Sequence, residues 1–427
     1  MGRTAFSAWL GLTFFAGLSL GAPNAQAQVP DPLVFANGAA VRSKADFEQR
    51  RRPEILNLFA ENVYGRTPKG RMPLKVIEVR QELALNGLAF RKQITLAVGP
   101  KGERTWRLLL YIPANAKGPV PTIVGLNFAG NHTVDADPGI DLNPVWVRDP
   151  AAPNPMPAGQ TARQVLQPAT AATRGRAAAN WQVAMLMKRG YGFATIYAGD
   201  IEPDFDGGVA HGIRPLFQHT AQTLDAADAW GAMGAWAWGM SRVADVVSDD
   251  RSVDSRRLIA FGFSRFGKAA LWAAAQDKRF ALVLANETGK GGASLVKHPG
   301  GETLDHVIEA FPYWNSTNLK RFYGRVNDLP VDGHLLLALI TPRPLYVGSA
   351  DKDPYSDPEG EYLATKAVTP VYALYGEQGL PDGPMPALDH PIGSGAVAYH
   401  VRTGGHNVTA YDWTQYLDFA DRELKAR

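Results

Sequence analysis

An alternation of short apolar stretches with helix-forming ones, running from Thr105 to Leu424, constrains the fold most. Strand signals fall at Thr105–Ile112, Thr122–Leu126, Gly192–Tyr197, Leu258–Phe263, Phe280–Ala285, Pro344–Ser349 and Ala396–Val401. Helical patterns fall at Trp181–Arg189, Ala226–Val247, Ser264–Gln276 and Thr409–Leu424. Strands that are apolar on both faces need cover on both faces, which predicts a mostly parallel sheet between helices. Residues 28–100 read as an N-terminal wrap with strand character at Leu74–Val79 and Gln93–Val98, and 133–180 read as irregular and rich in Pro and Ala. No internal repeat is visible. The expectation is a single α/β domain over 28–427, with long loops walling a cleft.

The chain has 44 Lys and Arg against 41 Asp and Glu, a net charge of +3. That balance gives nucleic-acid binding no support, since no basic excess is present to neutralise a phosphate backbone. There are no cysteines, which excludes a disulfide framework and Cys-based zinc or redox chemistry. Residues 1–27 read as a signal peptide: Arg3, then the apolar run Ala8–Leu20, then Ala25-Gln26-Ala27. That run is too short to span a membrane well, and no other long apolar run occurs. An exported protein, periplasmic or secreted and with no membrane partner, is expected.

The sharpest local feature is Gly262-Phe263-Ser264-Arg265-Phe266-Gly267-Lys268, set between an apolar strand and a helix. A nucleophile elbow needs that context, because a tight turn with small neighbours lifts the Ser hydroxyl above the sheet edge. The second Gly stands three residues after Ser264, so the G-x-S-x-G spacing is broken and Phe266 takes the usual Gly position. A Ser N-cap on a sheet-packed helix is the bland counterpart. Arg265 and Lys268 lie in the first helical turn, where each cation opposes the helix dipole by about 0.3–1 kcal/mol. Placed beside free N–H donors they would stabilise an anion such as a tetrahedral oxyanion. Otherwise they are surface cations paired with carboxylates.

A serine hydroxyl needs a base, and this fold class orders its residues Ser, acid, His. Of the nine histidines, His406 follows the last strand signal in Thr403-Gly404-Gly405-His406-Asn407 and precedes the closing helix. His400 lies within a strand, His390 in a loop, and His298, His306 and His334 precede the late strands. The orienting acid stays open among Glu287, Asp351 and Asp353. Glu202, Asp204, Asp206 and Gly207 resemble the start of a calcium loop, but Ile213 stands where the closing Glu belongs. A loop near the cleft is the better account of 200–208, and no metal or cofactor is expected.

Gly262-Phe263-Ser264-Arg265-Phe266-Gly267-Lys268-Ala269-Ala270 resembles the G-x-S-R-x-G-K-x-A signature of glucuronoyl esterases, carbohydrate esterase family 15. Asn286-Glu287-Thr288-Gly289-Lys290-Gly291-Gly292 is similar to that family's E-S/T-G-x-G-G stretch. Further similarity lies in 127–133, 236–242, 357–361 and 404–407, so the likeness runs through nearly all of the chain after residue 27.

The resemblance implies an α/β-hydrolase fold and a serine esterase. The substrate would be the ester joining (4-O-methyl-)glucuronoyl groups of xylan to lignin alcohols. Ser264 would be the nucleophile, His406 the base and Glu287 the acid, with Asp353 sharing or replacing that role. Glu287→Ala would accordingly cost more activity than Asp353→Ala. Arg265 would complete the oxyanion hole, and Lys268 and Glu302 would bind sugar hydroxyls. Tyr355 stands where the family commonly has a uronate-contacting Trp. A monomer is expected. Rival readings are an acetyl-xylan esterase or general carboxylesterase with the same triad, and a non-catalytic carbohydrate-binding relative.

Overall fold

The structure is a computed structural model that describes residues 29–70, 72–153, 163–217, 224 and 226–425. The expected signal peptide lies outside the described residues. The strands are β1 (Leu74–Ala84), β2 (Ala89–Val98), β3 (Arg104–Pro113), β4 (Val120–Asn127), β5 (Val145–Arg148), β6 (Gln164–Gln167), β7 (Gly192–Tyr197), β8 (Val253–Phe263), β9 (Phe280–Asn286), β10 (Leu345–Ala350) and β11 (Val397–Arg402). Nine of them form one sheet in the order β1-β2-β3-β7-β4-β8-β9-β10-β11. Pairing is parallel from β7 through to β11 and antiparallel from β1 to β7.

Adjacent residues on the central strands enter two different cores. Val124, Ala260, Val283 and Val347 belong to one. Ile123, Ile259, Leu282 and Tyr346 belong to the other. That is the period of two expected of strands buried on both faces. Helices α1 (Ala232–Ser248) and α2 (Arg265–Gln276) supply Trp236, Val243, Leu271 and Trp272 to the first core. The closing helix α3 (Ala410–Lys425) supplies Trp413, Tyr416 and Leu417 to the second. Burying one Leu or Phe side chain contributes roughly 1.5–3 kcal/mol, so these two faces hold the sheet edge firmly. The arrangement is the expected α/β-hydrolase layering.

Several element bounds differ from the sequence reading. β1 and β2 extend the main sheet as an antiparallel edge instead of wrapping around it. Within 133–180, β5 and β6 pair as a two-stranded ribbon. The helical stretch Trp181–Arg189 breaks at Gln182 (φ 47), giving Ala178–Trp181 and Val183–Lys188. The break lets Trp181 pack on Phe193 and Phe261, at 5.2 and 5.7 Å between ring centres. The long helix begins at Ala232, not Ala226, because the backbone before it is bonded elsewhere. Gly231 N–H donates to Tyr64 O, and Arg66 N–H to Asp228 O. Among the described residues no helix is long and apolar enough to cross a membrane.

Candidate active site

Parallel registry brings the strand ends to one edge. Phe263 pairs with Asn286, Asn286 with Gly348, and Ala350 with Arg402. The next residues along each strand are Ser264, Glu287, the loop with Asp353, and the loop with His406. Ser264 sits at φ 56, ψ −132, a conformation that costs a non-glycine residue roughly 1–3 kcal/mol. The elbow closes because Gly262 and Gly267 lie against each other. A Cβ at Gly262 would meet Phe266 O at 2.1 Å, and one at Gly267 would meet Thr288 Cγ2 at 2.4 Å. This explains the broken spacing: the helix crosses the strand at Gly267, and Phe266 is free to bury against Phe128 and Trp236.

His406 Nε2 lies 2.9 Å from Ser264 Oγ. Its Nδ1 lies 2.6 Å from Asp353 Oδ2 and 3.2 Å from Glu287 Oε2. Two carboxylates therefore face one nitrogen, and Nδ1 is the protonated one, leaving Nε2 to accept from the serine. Their surroundings differ. Asp353 accepts from Ser356 Oγ at 2.5 Å and from the Tyr355 N–H at 2.8 Å. Glu287 accepts from Arg402 at 2.6 Å and from the Asn407 N–H at 2.8 Å. Burial pushes Glu287 up to about 7, with the His406 hydrogen bond and the Arg402 charge only partly offsetting it. Burial also opposes charge on Asp353, but its bonds from His406, Ser356 and Tyr355 win and hold it at about 2. For His406, burial favours the neutral ring, yet the bonds to Asp353 and Glu287 raise it to about 9.

Among the described residues, Glu287, Asp353 and His406 also form a set with ligand atoms within 4.8 Å, close enough to hold a metal ion. Their mutual hydrogen bonds, with His406 turned to Ser264, account for that closeness.

A cavity of about 370 Å³ opens beside Ser264, lined by Arg265, Lys268, Glu302, His306, Phe311, Trp314, Tyr355 and His406. Both first-turn cations are paired with carboxylates, as the bland reading allowed, but in the cleft. Lys268 is 4% exposed and donates to Glu302 Oε1 at 3.0 Å. Arg265 donates to Asp204 Oδ2 at 2.6 Å and lies over the Trp314 ring. Tyr355 is 52% exposed and meets the His406 ring edge to face at 5.4 Å.

All eight candidate site residues thus gather here. Asp351 does not; it accepts from the Gly404 N–H at 2.7 Å and braces the His406 loop. Of the other histidines, His400 is buried on Asp412 and His334 on Pro30 O, and the half-buried His298 pairs with Asp357. His390 lies in an exposed loop, and His306 lines the cavity beside His406. The loop 200–208 does lie near the cleft as expected, but no role was read for Asp204, and Phe311, Trp314 and Arg402 were not singled out. The aromatic run Phe311-Pro312-Tyr313-Trp314 was the available signal for the cavity wall.

The family model described as "Glucuronyl esterase, fungi" matches residues 223–376. Carbohydrate esterase MZ0003, from an unknown prokaryotic organism, is 38% identical over 397 residues, 93% of this chain and 89% of that protein. The 4-O-methyl-glucuronoyl methylesterase of Podospora anserina is 30% identical over 339 residues, 77% of this chain and 56% of the fungal protein. The solved glucuronoyl esterase from Solibacter usitatus superposes with a TM-score of 0.85 at 42% identity, covering 93% of this chain and 98% of that one. A CE15 esterase from a marine bacterial metagenome, described as promiscuous, gives 0.83 at 38% identity, covering 93% and 97%.

Fold and relatives together define the class: a carboxylic ester hydrolase of the α/β-hydrolase type. More narrowly, the chain belongs to carbohydrate esterase family 15, the glucuronoyl esterases.

Proposed function

We propose that this chain is an exported, monomeric serine esterase. It cleaves the ester between (4-O-methyl-)glucuronoyl groups of glucuronoxylan and lignin alcohols through an acyl-enzyme on Ser264. The observation that carries the reading is the Ser264–His406–Asp353 hydrogen-bond chain opening on a cavity of about 370 Å³ lined by Arg265, Lys268 and Glu302 beside aromatic rings. As Ser264 Oγ attacks the C6 carbonyl, its proton passes to His406 Nε2. The carbonyl oxygen becomes an oxyanion beside the side chain and the backbone N–H of Arg265 at the start of α2. Collapse breaks the bond to the alcohol oxygen, which takes the proton from His406 as it leaves. Water then attacks the acyl carbon, gives its proton to His406, and the uronate departs while Ser264 Oγ is reprotonated.

In this scheme Lys268 and Glu302 hold sugar hydroxyls, and Tyr355 stands at the rim. Asp353 orients and balances the imidazolium, with Glu287 behind it. No metal or cofactor takes part. Similarity to the promiscuous marine esterase, together with Tyr355 in place of the family Trp, favours as second reading a broader esterase with the same triad. Comparing kcat/KM on benzyl glucuronate and on an acetyl ester tests the choice. The proposal expects glucuronate to be preferred by at least about tenfold, some 1.4 kcal/mol of transition-state binding; an equal or reversed preference contradicts it.

A further inference from the structure

The Asp200–Gly208 loop carries an acidic run that neither the triad nor the sugar contacts use. Its second acid, Glu202, turns inward. Glu202 is fully buried, accepts from Arg214 Nε at 2.8 Å, and its carbonyl accepts from Trp236 Nε1 on α1 at 2.8 Å. That anchoring fixes where the next acid, two residues on, emerges. Asp204 presents its two oxygens to different partners. Oδ2 takes Arg265 at 2.6 Å. Oδ1 takes Tyr313 Oη–H at 2.9 Å and Trp314 Nε1–H at 2.8 Å.

Arg265 has further restraints. Its guanidinium carbon stands 4.7 Å from the Trp314 ring centre and 5.4 Å from that of Phe311, and those two rings are stacked at 3.7 Å. Its Nε is buried and, among the described residues, has no hydrogen-bond partner. A long arginine side chain is flexible, so a donor left open at a reacting centre is useful only if the rest of the side chain is pinned. Here the far end is pinned by a charge-assisted bond and one face by a ring, while Nε stays open one residue from Ser264.

We infer that Asp204 is a positioning residue that holds the Arg265 side chain at the oxyanion site and ties it to the aromatic wall of the cavity. This rests on the esterase reading of the site, but not on which alcohol or acyl group is used, because any ester passes through the same oxyanion. Asp204→Asn isolates the role. The amide oxygen can still accept from Tyr313 and Trp314, whereas the amide nitrogen presents a donor to a donor and releases Arg265.

The experiment measures kcat and KM on benzyl glucuronate and on 4-nitrophenyl acetate. The proteins are the parent, Asp204→Asn, Asp204→Glu, Arg265→Gln and the Asp204→Asn/Arg265→Gln double variant, each checked by thermal melting. Asp204→Asn is expected to lose about 10- to 100-fold in kcat with KM within about threefold of the parent. Asp204→Glu, which keeps the charge, recovers much of that loss, and the double variant is no slower than Arg265→Gln alone. Multiplying losses in the double variant, a rise in KM alone, or equal impairment of the Asn and Glu variants would overturn the inference. A parent inactive on glucuronate but active on acetate would sink the substrate reading, and the acetate cycle would still decide the role of Asp204.

Discussion

Asp353 and Glu287 both face His406 Nδ1, yet their surroundings make them unequal partners. Arg402 neutralises Glu287 and also donates to Gly405 O and Asn407 O, so this carboxylate helps hold the histidine loop. Asp353 makes the shorter bond to the ring, and its other described hydrogen-bond donors are the neutral Ser356 Oγ and the Tyr355 and Ser356 N–H groups. The geometry therefore favours the opposite ranking to the one that the family resemblance implied; the order of residues along the chain had left the acid open. Asp353→Asn should lose more kcat than Glu287→Gln, by about tenfold or more; steady-state kinetics on both variants checks this, and a larger loss for Glu287→Gln contradicts it. The sign for pH follows from the same bonds. A base whose conjugate acid is raised above the ordinary value of about 6.5 is less often neutral at low pH, so activity rises with pH. The acid limb of kcat/KM should lie above 6.5, towards the value of about 9 reached by His406. Asp353→Asn should move it down. At this scale Ser264 and His406 were legible because each sits at a strand end in a small-residue turn. The ranking of the acids was not, because it depends on Arg402, a residue 115 positions from Glu287 along the chain.

Among the elements, the elbow between β8 and α2 carries the clearest constraint. Gly262 does not need a left-handed backbone; it needs the absence of a side chain, because Phe266 O and Gly267 Cα lie where a Cβ would go. Gly262→Ala should therefore push the helix off the strand, destabilising the fold by about 1–3 kcal/mol and lowering activity further by moving Ser264. Denaturant unfolding and kinetics of this variant would contradict the account if both matched the parent. The central strands and their helices were legible because apolar runs and turn signals are local. The start of α1, the break at Gln182 and the β5–β6 ribbon were not. The first two are set by contacts from distant segments, Tyr64 with Gly231 and Trp181 with Phe193 and Phe261, and the ribbon by pairing across an intervening stretch of irregular sequence.

Across the whole molecule, one sheet edge collects residues from four strand ends, and helices pack on both faces of the sheet behind it. The cavity beside it takes Arg265 and Lys268 from α2 but Trp314 and Tyr355 from stretches that are not periodic, which is why Trp314 escaped the sequence reading while Ser264 and His406 did not. It sets two cations and their carboxylate partners against the Phe311 and Trp314 rings, a mixed polar and aromatic lining. The most direct test is glucuronic acid release from benzyl glucuronate by the parent protein beside a folded Ser264→Ala variant. Release by the parent with a loss of at least about 1,000-fold in Ser264→Ala is the result this account predicts; release that persists in the variant, or none from the parent, would contradict it.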